Sequence, residues 1–380
     1  MTDLDDLFGL PSPPSYHVDW QGLHERFDWI RAMQGVPQDP IWHAEGDVWI
    51  HSRMVCEALA ADPEWRALDL DAKRITWLAA LLHDVAKPYS TQIEGPLEGG
   101  RIRSRHHSPR GAIHARRLLW RAGLAHPARE QVAGIVRHHQ LPIYALEGDQ
   151  GERRTSAASL RCRLDLLAIV AAADIRGRHC DDQAGKLESI DLFRDYAREL
   201  DCFATPRRFP SDHTRVMYFR RGRPAMVEAY DDTRSEVTVM TGLPASGKTY
   251  WRKQQPLPVV SLDELRQRLG VDPAGDQSRV RAAAREEAQG HLRAGRDFIW
   301  DATNLEAQRR GRIIDMALDY HARVRIIAVE ASAEDVERDN ASRPRPVPRD
   351  VVDAMLRRWE APDLTEAHQL EWVGRTHSAE

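Results

Sequence analysis

Lysine is almost missing from this 380-residue chain: of 54 basic residues, only Lys73, Lys87, Lys186, Lys248 and Lys253 are lysines. Where arginine has displaced lysine so thoroughly, a retained lysine marks a place that needs a compact ammonium rather than a planar fork. Cysteine is scarce too. Cys56, Cys162, Cys180 and Cys202 form no CxxC pair, which excludes a zinc ribbon and a disulfide framework and fits reduced thiols. Positive charge is not in excess, since the formal net charge is -4; a globally basic nucleic-acid binder is excluded, although a local basic groove is not. No apolar run approaches the roughly 20 residues of a membrane span. The acidic start Met1-Thr2-Asp3-Leu4-Asp5-Asp6 lacks the basic and apolar regions of a signal peptide. The expectation is a soluble cytoplasmic protein with no membrane partner. It has no internal repeat and enough length for at least two domains.

What is present is organised around Val237-Thr238-Val239-Met240-Thr241-Gly242-Leu243-Pro244-Ala245-Ser246-Gly247-Lys248-Thr249. A β-rich run enters a glycine-bracketed turn and leaves through Lys-Thr into a helix. Gly242 and Gly247 permit a backbone path that aims successive N–H groups at phosphate oxygens. The loop through Ser246 and Gly247 would cradle phosphates at the helix start. Lys248 would reach the β- and γ-phosphates, and the Thr249 hydroxyl would ligate Mg²⁺.

The rest of the chain falls into two characters. Residues 1–18, rich in Pro and Asp, read as an arm that is ordered at best. From 19 to 205 helix follows helix, with apolar spacings of three and four over Trp49–Ala61, Ala72–Ala86, Gly111–Ala122, Ala128–His139, Ser159–Ile175 and Leu187–Cys202. Pro96–Gly100 and Glu147–Arg154 read as loops. Residues 206–234 carry Pro206, Pro210, Pro224 and the run Phe219-Arg220-Arg221-Gly222-Arg223, and read as a connector with one short hairpin. From 235 to 380 strands Val237–Met240, Leu257–Ser261, Phe298–Asp301 and Val324–Glu330 alternate with helices Lys248–Gln254, Leu262–Leu269, Val280–Ala294 and Ala307–Tyr320. That alternation predicts a parallel sheet with its site at the carboxyl ends of the strands. The fold class expected is an all-α helical bundle followed by an α/β domain.

Among the helices lies an ordered set of His and Asp: His51, His83-Asp84, His107, His139 and Asp174. A bundle can turn such residues inward onto one metal. Mixed imidazole and carboxylate ligation suits Mn, Fe, Co, Ni or Zn rather than Ca. Such an ion activates water and polarises a phosphoryl oxygen. The pieces Trp49-Ile50-His51, Leu82-His83-Asp84-Val85-Ala86-Lys87 and Asp174 together resemble the HD phosphohydrolase superfamily. Arg105-His106-His107-Ser108-Pro109 and Val136-Arg137-His138-His139-Gln140 are similar to the HD domains of bacterial CCA-adding enzymes. The resemblance implies that His51, His83, Asp84 and Asp174 hold one ion, that His107 and His139 extend the site to a second ion or position the scissile phosphate, and that Lys87 neutralises substrate phosphate. His106 and His138 remain the rivals within their doublets.

Phosphate-loop chemistry also needs a base for the acceptor and cations for the transferred group. Asp263 emerges where the second strand ends and can take a hydroxyl proton. Arg266 follows one turn later and can hold an acceptor phosphate. Asp301 and Asn304 follow the third strand, Asp301 toward Mg²⁺ or the acceptor and Asn304 toward the acceptor or a turn. Arg338-Asp339-Asn340-Ala341-Ser342-Arg343-Pro344-Arg345-Pro346 reads as an arginine-bearing lid over ATP. These pieces resemble the polynucleotide 5′-kinase family. The resemblance implies ATP or another NTP with Mg²⁺ on Lys248 and Thr249, Asp263 as base toward a 5′-OH, Arg266 on the adjacent phosphate, and Arg343, with Arg338 or Arg345, on the transition-state phosphates.

An HD domain ahead of such a kinase resembles the bacterial HD–polynucleotide kinases. That implies healing of RNA or DNA ends: removal of 2′,3′-cyclic, 2′- or 3′-phosphate and phosphorylation of the 5′-OH. No adenylyltransferase motif is present, so sealing would fall to a separate ligase. The rival expectation is a nucleotide-pool phosphohydrolase joined to a small-molecule kinase.

Overall fold

The structure, a computed structural model, describes residues 4–95 and 101–374; the expected loop Pro96–Gly100 lies outside the described residues. The chain parts into two units between Arg208 and Phe209. Among the described residues, no helix is long and apolar enough to cross a membrane.

Among the described residues the first unit is helical apart from one antiparallel strand pair, β1 (Thr91–Glu94) and β2 (Arg101–Ser104). At its centre stands the helix Leu164–Arg176, buried at nearly every position from Leu164 to Ile175. A helix apolar on all sides belongs in the middle of a bundle. It packs against Val48–Ala61, Leu70–Leu82, His126–His138 and Gln183–Glu199. One long helix over Ser159–Ile175 was expected, but the chain breaks at Leu160–Arg163 between helices Gly151–Ser159 and Leu164–Arg176. The peptide groups there find partners elsewhere: Arg163 N donates to Gln131 Oε1 and Asp165 N to Phe203 O. The expected loop Glu147–Arg154 gives way to helix from Gly151 onward for the same segment. The expected arm also packs inward. Phe8 and Val18 are buried, and Trp77 Nε1 donates to Phe8 O.

The second unit holds a five-stranded sheet built from β3 (Ser235–Thr241), β4 (Val259–Ser261), β5 (Phe298–Asp301), β6 (Ala322–Glu330) and β7 (Gln369–Gly374). Its order is β4-β5-β3-β6-β7, and every pairing is parallel. Continuous apolar runs such as Val237–Met240 and Ile326–Val329 are buried, as strands covered on both faces require. Strand β7 went unpredicted because Gln369-Leu370-Glu371-Trp372 alternates weakly and lies on the sheet's edge. Where a hairpin was expected, Asp212–Arg221 forms a helix. Ser211 caps it by accepting from Thr214 N, Gly222 closes it at φ 66°, and the prolines at 206, 210 and 224 all fall outside it. Its Val216 is fully buried in the core of this unit.

Candidate metal centre and phosphate site

Four imidazoles of the first unit share one construction. His83 Nδ1 donates to Ala80 O at 2.7 Å, His139 Nδ1 to Val136 O at 2.8 Å and His107 Nδ1 to Ser104 O at 2.7 Å. His83 and His139 occupy the C-terminal caps of helices Leu70–Leu82 and His126–His138, so each bond also satisfies a carbonyl that a helix end leaves open. His51 rides on the first turn of Val48–Ala61. That helix is started by Asp47, whose carboxylate accepts from Ile50 N at 2.8 Å and Gly35 N at 2.7 Å. His51 Nδ1 lies 2.8 Å from Glu45 Oε1. Carbonyl oxygens only accept, so Nδ1 of His83, His139 and His107 carries the proton and each neutral ring keeps its lone pair on Nε2; His51 Nδ1 faces the Glu45 carboxylate without an in-line hydrogen bond among the described residues.

Those Nε2 atoms converge. His51 Nε2 is 3.2 Å from His83 Nε2, 3.1 Å from Asp174 Oδ1 and 3.8 Å from Asp84 Oδ2. His83 Nε2 is 3.2 Å from Asp84 Oδ2 and 3.9 Å from Asp174 Oδ1. On the other side of Asp84, Oδ1 lies 3.4 Å from His107 Nε2, which is 3.4 Å from His139 Nε2. All six side chains are buried.

Lone pairs and carboxylates packed this closely repel unless positive charge sits among them. Two ligands at about 2.1 Å from one ion are roughly 3 Å apart at right angles and roughly 4.2 Å apart when opposite; the observed separations fall in that window. Neither oxygen of Asp84 accepts an in-line hydrogen bond among the described residues. The donor set therefore fits divalent metal ions, with His51, His83 and Asp174 around one position and Asp84, His107 and His139 around a neighbouring one, and Asp84 Oδ2 close enough to His51 and His83 to serve the first as well.

The titration directions express the same demand for a cation. Burial opposes protonation of His83, but Asp84 and Asp174 outweigh it and hold its pKa up. Burial alone would raise Asp84; His83 and Lys87 hold it well below the usual carboxylate range. For His139, burial with the neighbouring His107 and His83 outweighs the pull of Asp84 and Asp174 and drives the pKa down to about 3.

The structure separates the histidine doublets. His107 enters the cluster, while His106 is exposed in a left-handed backbone turn at φ 59°. His139 enters, while His138 lies near Arg161. Lys87 places Nζ 2.7 Å from Asp84 Oδ2. Two contributors were not foreseen. Arg178 grips both oxygens of Asp174, Nε on Oδ1 at 2.9 Å and Nη2 on Oδ2 at 2.5 Å. Glu45 stands behind His51 and also meets His43 Nδ1 at 2.8 Å. Arg178 follows Asp174 by one helical turn, a spacing that signals such a pair; Glu45 lies in an irregular segment without any periodic signal.

In the second unit the phosphate loop, Asp263 and Asp301 gather at the carboxyl ends of β3, β4 and β5. Gly242 has φ 148°, and a Cβ there would meet Val329 O at 2.3 Å; Gly247, at φ 102°, caps the helix Lys248–Lys253. No other residue type fits both positions. Lys248 is folded over the loop, with Nζ donating to Gly242 O at 2.8 Å and Leu243 O at 2.6 Å. Desolvation pushes its pKa down to about 8, with Asp301 and Asp263 opposing. Ser246 is buried and its hydroxyl has no partner among the described residues, an orphan that a phosphate oxygen would satisfy. Thr249 is exposed beside it.

Asp263 is exposed and ion-paired with Arg266, whose Nε also donates to Gln277. Asp301 accepts from Arg252 Nη1 at 2.7 Å and Ser261 Oγ at 3.2 Å; Arg252 was not foreseen. Asn304, expected toward the acceptor, is buried and donates its side-chain amide to Met240 O at 2.7 Å. Its φ of 43° and this bond commit it to bracing the phosphate loop, the turn role. In the lid, Asn340 exchanges two hydrogen bonds with Val347, at 2.7 and 3.0 Å, closing the Ala341–Pro346 loop. Arg343 is exposed, and its charge is felt at Lys248. Arg338 pairs with Asp335 and Asp339 of its own helix, and Arg345 is exposed.

Comparison with known proteins defines the class: the HD domain family matches residues 47–176 and the AAA domain family matches residues 237–362, so the chain joins an HD domain to a P-loop kinase-like domain. Among curated proteins it is similar to the multifunctional CCA protein of Xanthomonas oryzae pv. oryzae, 30% identical over 188 residues, covering 47% of this chain and 42% of that protein. It is also similar to a bifunctional uridylyltransferase/uridylyl-removing enzyme of Cereibacter sphaeroides, 35% identical over 112 residues, covering 28% of this chain and 10% of that one. The chain thus spans less than half the length of these relatives. A solved kinase-like structure from Chloroflexus aurantiacus aligns at 21% identity and TM-score 0.32, over 38% of this chain and 88% of that one.

Proposed function

We propose that this chain heals broken nucleic-acid ends with two separate sites. The first unit hydrolyses 2′,3′-cyclic, 2′- or 3′-phosphate ends, and the second transfers the γ-phosphate of ATP or another NTP to a 5′-OH. The observation that carries the reading is the pairing, on one chain, of a convergent Nε2 and carboxylate cluster with a phosphate loop that has Asp263 and Asp301, each held by an arginine, at the same strand ends.

In the first unit, a bound divalent metal supplies Lewis-acid activation of water and of a phosphoryl oxygen. Water adds to phosphorus, one ester P–O bond breaks, and the proton passes to the departing 2′ or 3′ oxygen. Lys87 sits at Asp84 to neutralise the substrate's negative charge, and Glu45 and Arg178 hold His51 and Asp174 in place.

In the second unit, Lys248 exchanges its two loop carbonyls for the β- and γ-phosphates, Ser246 and the loop N–H groups complete the cradle, and Thr249 would hold Mg²⁺. Asp263 takes the proton of the 5′-OH as the acceptor oxygen bonds to the γ-phosphorus and the bond to the β–γ bridging oxygen breaks. Arg266 holds the adjacent acceptor phosphate. Arg343, on the loop that Asn340 closes, meets the charge that develops in transfer, with Arg345 beside it. Asp301 is held by Arg252 to face Mg²⁺ or the acceptor.

The test is one oligonucleotide carrying a 5′-OH and a 2′,3′-cyclic phosphate, incubated with ATP and a panel of divalent metals, with both ends read on a gel. Conversion of both ends is expected. Transfer to nucleosides or sugars but never to an oligonucleotide would replace this reading with a nucleotide-pool enzyme.

A further inference from the structure

The geometry points to Gln38 as a substrate-positioning residue: its side-chain amide forms, with Lys87, a subsite for a phosphoryl oxygen at the edge of the metal centre. This rests on the hydrolase reading above for its substrate, but not for its physical basis.

Gln38 is only 8% exposed. Its Oε1 accepts from Lys87 Nζ at 2.6 Å, and the same Nζ is 2.7 Å from Asp84 Oδ2. An ammonium offers donors alone, so the carbonyl end of the amide must face Lys87 and the NH₂ end must face the other way. That NH₂ is the anomaly. Gln38 Nε2 is buried and has no acceptor among the described residues. Leaving a buried amide donor unpaired costs the desolvation of that group, and native structures rarely keep one without a partner.

The carboxylates of the centre face cations and imidazoles rather than this amide. Asp84 faces Lys87 and two histidines, and Asp174 is gripped by Arg178. The acceptor that fits is a tetrahedral oxyanion brought in from outside, with Gln38 Nε2 donating to one of its oxygens and Lys87 beside it neutralising its charge. The residue is held rather than loose: Pro37 and Pro40 flank it, and the same segment is tied down by Val48 N on Val36 O and by Ala44 N on His179 O. Gln38 also precedes residue 47, where the HD family match begins, so it belongs to this chain's own lead-in segment.

The experiment titrates inorganic phosphate into manganese-loaded full-length protein by calorimetry, for wild type, Gln38→Leu and Gln38→Glu. Bound manganese and thermal melts are measured on each, so that a folding or metal defect is seen as such. Gln38→Glu keeps an oxygen for Lys87 but removes the donor, so it separates a direct role from support of Lys87. Both variants are expected to hold manganese as wild type does and to bind phosphate about ten- to hundredfold more weakly, with KM for a 3′-phosphorylated dinucleotide rising in step and kcat changing less. Wild-type phosphate affinity in either variant, or no phosphate binding by wild type, overturns the inference. Phosphate binding that weakens as stated in a protein that hydrolyses no end leaves Gln38 in place and ends the hydrolase reading instead.

Discussion

The two sites are built on opposite plans. In the first unit every candidate ligand is buried, and each imidazole is fixed from behind by a carbonyl or carboxylate. In the second, Thr249, Asp263, Arg343 and Arg345 are exposed, and Lys248 is turned back on its own loop. A metal centre must hold several like-charged or lone-pair groups together before the ion arrives, so its geometry has to be enforced by the fold. A nucleotide site meets a large ligand and can rearrange around it, because the ligand's own phosphates repay the broken contacts. On the proposed reading the first site is preorganised and the second is assembled by its ligand.

The contrast can be broken by mutation, most sharply at the two anchors. Asp84→Ala should lower phosphate-end hydrolysis by at least about a thousandfold and leave 5′-phosphorylation intact, whereas Lys248→Ala should do the reverse. Assaying both ends of one oligonucleotide checks both; loss of both activities in either variant would mean the sites are not independent. Next in size is Glu45→Ala, which removes the support behind His51. Metal affinity should fall about ten- to hundredfold, measured by competition with a chelator, without any change in ATP binding.

The second site should show its adaptability in pH. Lys248 has a pKa near 8 in the free loop, and phosphate contact raises it. Nucleotide binding therefore costs nothing in protonation below pH 8 and takes up a proton above it. Affinity should weaken by up to about tenfold per pH unit above 8, with proton uptake visible by calorimetry in buffers of different ionisation enthalpy. Affinity that is flat to pH 9.5 would mean Lys248 does not meet the phosphates. The smallest effect is Asp47→Ala, which removes the cap of the helix bearing His51. It should cost about 1–2 kcal/mol and lower the melting temperature of the first unit by roughly 2–8 °C.

How much of this was legible in the sequence follows the same division. The phosphate loop is a contiguous motif, so its strand, turn and helix could be read directly, and Phe298–Asp301 forms over the residues its pattern indicates. The metal cluster is assembled from helices far apart in sequence, yet its histidines could still be listed because each sits at a helix end or start. Which member of His106-His107 or His138-His139 turns inward was not legible; that depends on where the preceding turn leaves the backbone. Glu45 and Gln38 were invisible for a different reason. They lie in an irregular segment between helices, where no periodicity assigns a face and only tertiary contacts bring them to the site. Asn304 is the converse case: a polar residue after a strand reads either as an acceptor contact or as a turn residue, and its amide bonded to Met240 O agrees with the turn.

The measurement that bears most directly on the account is a crystal structure of manganese-soaked protein with anomalous scattering recorded at the manganese edge. The account predicts anomalous density enclosed by His51, His83, Asp84 and Asp174, with any further peak lying between Asp84, His107 and His139. Density at the His43–Glu45 side of His51 instead, or none within reach of these Nε2 atoms, would contradict it.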